Sequence, residues 1–184
     1  MILLLAYTTL RRRSELTSLR VEDLTLCGDG QGLILLRQSK TDQTREGVLL
    51  ALDIKTTFAV TKWIELAGMG DGYLLRGITG NRLNLAMDPG QISRLFKSLA
   101  VKADLDPKEI SGHSTRIGAA QDLLDSGASI GQIMAKVGWS KVDTVMRYVG
   151  FNSAEATQNS IILQHRLKIN VPATQSECFC VRVS

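Results

Sequence analysis

His113 and Arg116 form an H-x-x-R pair in the stretch from Ser111 to Gly150, and the same stretch holds Gly138-Trp139. Tyr148 follows Trp139 by nine positions (148 − 139 = 9). At about 100° per residue, Ile117, Ala120 and Leu124 make the apolar stripe of a helix running from about Ser111 to Leu124, and His113 and Arg116 fall within about 60° of it on the first turn. Two basic groups beside an inward face are costly unless something anionic meets them. A helix N-terminus is also the positive end of a dipole, so the guest these residues suit is a phosphate. A further helix, read from Ser140 as its cap to Val149, carries its stripe at Val142, Val145, Met146 and Val149. It sets Tyr148 about 100° to the side of that stripe, where a phenol reaches from the core edge into a cleft. Each residue alone also has an ordinary reading: a satisfied histidine, a surface arginine, a packing tyrosine.

Upstream, LRRRSELTSLRVEDL reads as helix. Leu16 and Leu19 define its apolar side, and Arg12 aligns with them at i−4 and i−7. Arg11 and Arg13 point to either flank, so the wheel directs Arg12 alone inward, with Glu15 one turn on as its candidate charge partner.

Together, H-x-x-R, Gly-Trp, the tyrosine nine residues later and the upstream R-x-S-E-L…L-R-x-E-D-L resemble the tyrosine recombinases, or phage integrases. In that family the position of Trp139 is usually histidine, with tryptophan a known variant. Thr115 and Arg11 stand where the family usually has leucine. The R-x-x-E spacing maps the family's first catalytic arginine onto Arg12 and its glutamate onto Glu15. The hairpin that follows carries the catalytic lysine in the family, and S-K-T-D places it at Lys40, the one lysine in the loop SKTDQTREG. The resemblance covers roughly residues 1 to 150.

The chemistry the resemblance implies is transesterification of DNA through a 3′-phosphotyrosine. Tyr148 would be the nucleophile, with Arg12 and Arg116 gripping the phosphate. His113 would add a donor or assist proton transfer, Trp139 would orient through its indole N–H, and Lys40 would protonate the departing 5′-oxygen. No cofactor or metal is expected, and no ligand cluster for one is evident. The implied partners are double-stranded DNA and other recombinase subunits, a tetramer on DNA. Two rival readings are a catalytically silent, truncated DNA-binding remnant and a type IB topoisomerase-like relaxation of DNA.

The elements that must position these groups read as α+β, mainly α-helical with one small antiparallel sheet. Met1 to Thr9 is helical, Gly28 to Gly32 is a turn, and Leu33 to Gln38 and Val48 to Leu52 are strands. A helix runs from the cap Asp53 to Leu66 with Gly68 as its stop and Trp63 in the core, and Tyr73 to Leu75 is short and extended. Asp88-Pro89 opens a helix to about Lys102 with Ile92, Leu95, Phe96 and Leu99 as its stripe. Arg94, Lys97 and Lys102 lie off that stripe and are candidate contacts to DNA phosphates. Ile130 to Val137 is a helix stopped by Gly138. Residues 151–167 read as one more helix with an apolar patch at Ile161, Ile162, Leu163 and Leu167, which the resemblance implies docks on a neighbouring subunit. The end of the chain is weakly structured by composition.

The chain has 184 residues, 44% of them apolar, a net charge of +4 and three cysteines without zinc spacing. That suits one catalytic domain over residues 1–150, entered past its N-terminal edge, with a C-terminal helix and tail over 151–184 and the family's N-terminal DNA-binding domain absent. The opening MILLLA is too short to span a bilayer, and its arginines follow the apolar run. No membrane association is expected. The cysteines read as reduced, and the location expected is cytoplasmic, nucleoid-associated, in a prokaryotic or phage-derived setting.

Overall fold

The computed structural model of the chain describes residues 1–39 and 47–146, and the backbone of 180–182. Helices dominate, and one small antiparallel sheet flanks them. α1 (Ile2–Thr9) leads into α2 (Arg13–Ser18), then a single 3₁₀ turn at Val21–Asp23. β1 (Leu24–Cys27), β2 (Gly32–Leu36) and β3 (Val48–Leu52) follow, the last with the boundaries its sequence suggests. α3 (Ile54–Leu66) starts because the Asp53 carboxylate accepts from the Thr56 N–H at 2.6 Å. A two-residue-stranded hairpin, β4 (Ile78–Thr79) with β5 (Arg82–Leu83), precedes α4 (Pro89–Lys102), which opens on the Asp88 cap and Pro89. α5 (Ser114–Asp125), α6 (Ile130–Val137) and α7 (Val142–Val145) complete the described helices. Among the described residues, no helix is long and apolar enough to cross a membrane.

The sheet has the order β3-β2-β1-β6, all antiparallel, where β6 is Cys180–Arg182. Weak structure was expected at this end of the chain, yet its backbone adds an edge to β1. Period-two alternation turns Ile34, Leu36, Leu50 and Leu52 inward. With Leu5, Leu16, Leu19, Ile92 and Phe96 they build the larger core. Each such side chain contributes about 1.5–3 kcal/mol on burial. Trp63 packs on the edge of this core, half-buried, and its indole N–H donates to the Leu74 carbonyl at 2.9 Å.

A second, smaller core joins Leu10 to Ala119, Ala120, Ile133, Val137 and Val145. Leu10 reaches it because the chain turns sharply there, with φ 53°, the left-handed region that costs an ordinary residue about 1–2 kcal/mol. α1 ends at Thr9, as its sequence suggests, but the helix expected over LRRRSELTSLRVEDL is shortened: Leu10 to Arg12 lie outside it, and α2 spans only Arg13–Ser18.

Two apolar stripes also differ from expectation. On α5 the buried positions are Arg116, Ala119 and Ala120, while Leu124 is exposed. The stripe is rotated because a charged residue occupies the inward face. On α7 the cap is Lys141 in place of Ser140, and Val142 and Met146 are exposed with only Val145 buried among the described stripe. The expected helix over 151–167, with its apolar patch, lies outside the described residues.

Candidate active site

Arg12 sits at the cap of α2 with extended backbone (φ −68°, ψ 155°) instead of on a helix face. Its backbone N–H donates to Glu15 Oε2 at 2.9 Å and its Nη1 to Glu15 Oε1 at 3.0 Å. Glu15 is buried and also accepts from Ser39 Oγ at 2.9 Å. Burial pushes its carboxyl up, but the bonds from Arg12 and Ser39 and the charge of Arg12 outweigh that and hold it below its ordinary value. Glu15 is therefore a bracket that fixes Arg12 by backbone and side chain at once, the pairing the wheel anticipated.

The wheel's other inference needs correcting. Arg11, expected on a flank, is the buried member of the arginine cluster, and Arg12 is only half-buried. The break at Leu10 resets the phase of the chain, so a continuous wheel misplaces everything N-terminal to Arg13. Arg13 runs across to α4, where Nη1 donates to Ser93 Oγ at 2.6 Å. It passes so close over Gly112 that a Cβ there would lie 2.3 Å from Arg13 Cδ. Glycine beside His113 is what lets this side chain through.

His113 caps α5, its N–H donating to Ser111 Oγ at 3.1 Å. Burial, then the charges of Arg13, Arg116 and Arg12, push its imidazole below the ordinary value, so it is neutral near pH 7. Arg116, 4% exposed, projects from the first turn of α5 to the end of α6. There Nη2 donates to the Val137 carbonyl at 2.8 Å, and the guanidinium stands 5.6 Å from the centre of the Trp139 ring. Both contacts suit a cation: the first is the negative end of a helix, the second a π face. Gly138, with φ 73°, turns the chain out of α6 and delivers Trp139.

Arg12, His113, Arg116 and Trp139 line one cleft of about 270 Å³. Lys141 and Thr144 share it. None of its described lining residues is a carboxylate, so the cleft presents cationic and neutral donors to an anion. Lys141 was not singled out from the sequence, although its place two residues after Trp139 was a signal. Tyr7 was missed as well: its hydroxyl donates to Asp122, fastening α1 to α5, and burial, reinforced by that carboxylate, raises its pKa. Lys40 and Tyr148 lie outside the described residues. Arg94, Lys97 and Lys102 are exposed along α4, off its buried stripe of Ile92 and Phe96 and away from the cleft's lining. Among the described residues, no group of His, Cys, Asp or Glu side chains is placed to hold a metal ion.

The Glu15 bracket predicts a pH signature. A carboxyl depressed below its ordinary 4.5 contributes stability that is present above that pH and lost as pH falls through the lower folded value. Glu15→Gln should unfold more easily at pH 7, by about 1–3 kcal/mol. Its stability should also be flatter on acidification than that of the parent. Thermal unfolding from pH 7 to pH 3 checks this, and an unchanged acid limb would remove Glu15 as the titrating bracket.

Comparison with known proteins yields one family model, the phage integrase family, matching residues 1–155. Among curated relatives, recombinase Cre of Escherichia phage P1 is 32% identical over 160 residues, covering 79% of this chain and 47% of the relative. Tyrosine recombinase XerC of Corynebacterium efficiens is 30% identical over 156 residues, covering 83% of this chain and 46% of the relative. The chain thus spans about half the length of the curated relatives it matches. Among solved structures, XerA recombinase superposes with a TM-score of 0.64 at 24% identity, over 88% of this chain and 56% of that one. XerH recombinase in a post-cleavage complex with its difH substrate gives 0.65 at 16% identity, over 89% of this chain and 45% of that one. At these identities the structures establish the fold.

Proposed function

We propose, from the premise that this chain belongs to the phage integrase family, that it catalyses site-specific DNA recombination by cleaving and rejoining strands through a 3′-phosphotyrosine. The observation that carries this reading is the convergence of Arg12, His113, Arg116 and Trp139, from three separate parts of the chain, on a cleft whose described lining has no carboxylate.

In this reading the Tyr148 oxygen attacks the scissile phosphorus and the bond from phosphorus to the 5′-oxygen breaks. A phenol is a weak nucleophile at neutral pH because its pKa is about 10. The protein therefore has to lower the barrier by stabilising the charge that develops on the non-bridging oxygens. Arg12 and Arg116 are suited to this, because each guanidinium is permanently charged and presents its donors in a fixed fork. Their fixation before any DNA arrives, by Glu15 and by the end of α6, means that little reorganisation is needed at the moment of reaction. Neutral His113 can accept a proton or donate to a phosphate oxygen. Trp139 can donate only its indole N–H, so its part is to orient. Lys40 gives its proton to the departing 5′-oxygen. The phosphotyrosine retains the energy of the broken ester, and attack by another 5′-hydroxyl rejoins the strand.

In this proposal residues 1–150 form the catalytic domain and 151–184 a C-terminal helix and tail, whose β6 strand joins the domain's sheet, with a tetramer assembled on DNA through contacts between subunits. Arg94, Lys97 and Lys102 would meet backbone phosphates.

A nicked duplex from which the cleaved fragment diffuses away tests the proposal. The chain should form an adduct that survives denaturation and is joined to a 3′-phosphate. Low salt and micromolar protein are appropriate, since non-specific affinity is on the order of 10⁻⁴–10⁻⁶ M. Bound duplex with no adduct would overturn the reading.

The lysine has its own test. Lys40→Ala should lose cleavage of ordinary DNA, whereas a 5′-bridging phosphorothiolate, whose sulfur leaves without needing a proton, should recover most of the rate. A sulfur substrate equally inert would assign Lys40 to holding the phosphate.

A further inference from the structure

Arg11 is a buried cation beside the cleft that the chemistry above does not use. It is 7% exposed. Its Nη2 donates to the Lys136 carbonyl at 3.1 Å, and its Nε has no hydrogen-bond partner among the described residues. Glu15, the nearby carboxylate, pairs with Arg12 instead. A buried guanidinium with so little compensation lowers stability relative to an apolar side chain of similar size. Its place in the fold shows what it can offer in return.

The last turn of α6 carries two successive carbonyls that each take one guanidinium. Lys136 accepts from Arg11 and Val137 accepts from Arg116. The N–H groups of Gly138 and Trp139 both return to the Met134 carbonyl, at 2.8 and 3.0 Å, so Trp139 moves with that turn. On the other side of Arg11, one peptide bond leads to Arg12, whose own N–H is held by Glu15. Arg11 thus connects the residue carrying one wall of the cleft to the turn carrying the other.

We infer that Arg11 is a positioning residue. It clamps the C-terminal turn of α6 to the α1–α2 junction and so sets the spacing between Arg12 and the pair Arg116 and Trp139. This rests on the recombinase reading for its consequence in catalysis, but not for the clamp itself.

Arg11→Leu and Arg11→Lys test it, with three measurements on the full chain. The first is the thermal midpoint. The second is the single-turnover rate of adduct formation at saturating nicked DNA, beside the DNA dissociation constant. The third is the ¹⁹F spectrum of chain labelled with 5-fluorotryptophan, whose two resonances, from Trp63 and Trp139, are assigned with Trp139→Phe. For Arg11→Leu the midpoint should be unchanged or higher and DNA affinity within about twofold of the parent. The cleavage rate should fall about tenfold or more, because displacing a catalytic group by about 1 Å is costly. The Trp139 resonance should shift or broaden while that of Trp63 stays. Arg11→Lys, which keeps a donor, should recover much of the rate. A lower midpoint that accounts for the lost rate, or a parental rate in Arg11→Leu, overturns the clamp. If the parent chain itself forms no adduct, the recombinase reading fails separately, and the ¹⁹F spectrum decides the clamp alone: an unmoved Trp139 resonance overturns it.

Discussion

Tyr148→Phe should form no covalent adduct with nicked DNA while binding the same duplex within about twofold of the parent. The substitution deletes one oxygen and keeps the ring, so packing and charge are preserved. If that oxygen is the nucleophile, the loss is on the order of 10⁴-fold or more, as for removal of the attacking group in other covalent mechanisms. The cationic cleft, by contrast, stays intact, because its arginines are held by Glu15 and by the end of α6. Retained binding with abolished adduct is therefore the expected pair of results. Denaturing gels give the first quantity and gel-shift titration the second. An adduct persisting in Tyr148→Phe would move the nucleophile to another residue. Adduct and binding lost together would mean that the hydroxyl serves the fold or DNA binding, and would leave it without a distinct part in the attack.

Replacing Arg116 should have the second-largest effect, and two substitutions separate its roles. The guanidinium is at once a wall of the cleft and the partner of the Val137 carbonyl. Arg116→Ala removes both, leaving that carbonyl buried without its charged donor. A cost of about 1–3 kcal/mol in stability is expected, together with a fall of about 10²–10³-fold in cleavage, the usual loss for one preorganised donor to a transition-state oxygen. Arg116→Lys keeps the charge but has no planar fork to serve a carbonyl and a phosphate together. It should regain much of the stability and little of the rate. Thermal unfolding and single-turnover cleavage measure the two. A lysine variant cleaving at nearly the parental rate would show that bare charge suffices and that the fork geometry argued for Arg116 is irrelevant.

Legibility in the sequence followed the range of the forces involved. α3 and α4 could be placed from Asp53 and Asp88 because a helix cap is a contact spanning three residues. α6 ended where Gly138 allows a left-handed turn that other residues resist. The break at Leu10 had no such local marker. A leucine adopts φ 53° there only because the second core repays it, and that core is assembled from residues more than a hundred positions away. The same break hid the burial of Arg11. On α5 the periodicity misled because Arg116 lies on the buried face, which a hydrophobic pattern assigns to an apolar residue. That Arg12, His113, Arg116 and Trp139 line one cleft was legible in spite of this, because the set is defined by residue type and spacing, a criterion independent of which way each helix is turned.

The division of the interior into two cores has a consequence for motion. The smaller one is built from two alanines, two valines, a leucine and an isoleucine among the described residues, and so has little apolar surface to lose on opening. Cooperative units of unequal depth open at unequal free energies. Amide hydrogens of α5 and α6 would then exchange with solvent through a partial unfolding that leaves α1 to α4 protected. Arg116 and Trp139 belong to the half that detaches first, and Arg12 to the half that stays. Such a molecule can separate Arg12 from Arg116 and Trp139 without melting, so the cleft can widen by a fluctuation that costs less than global unfolding.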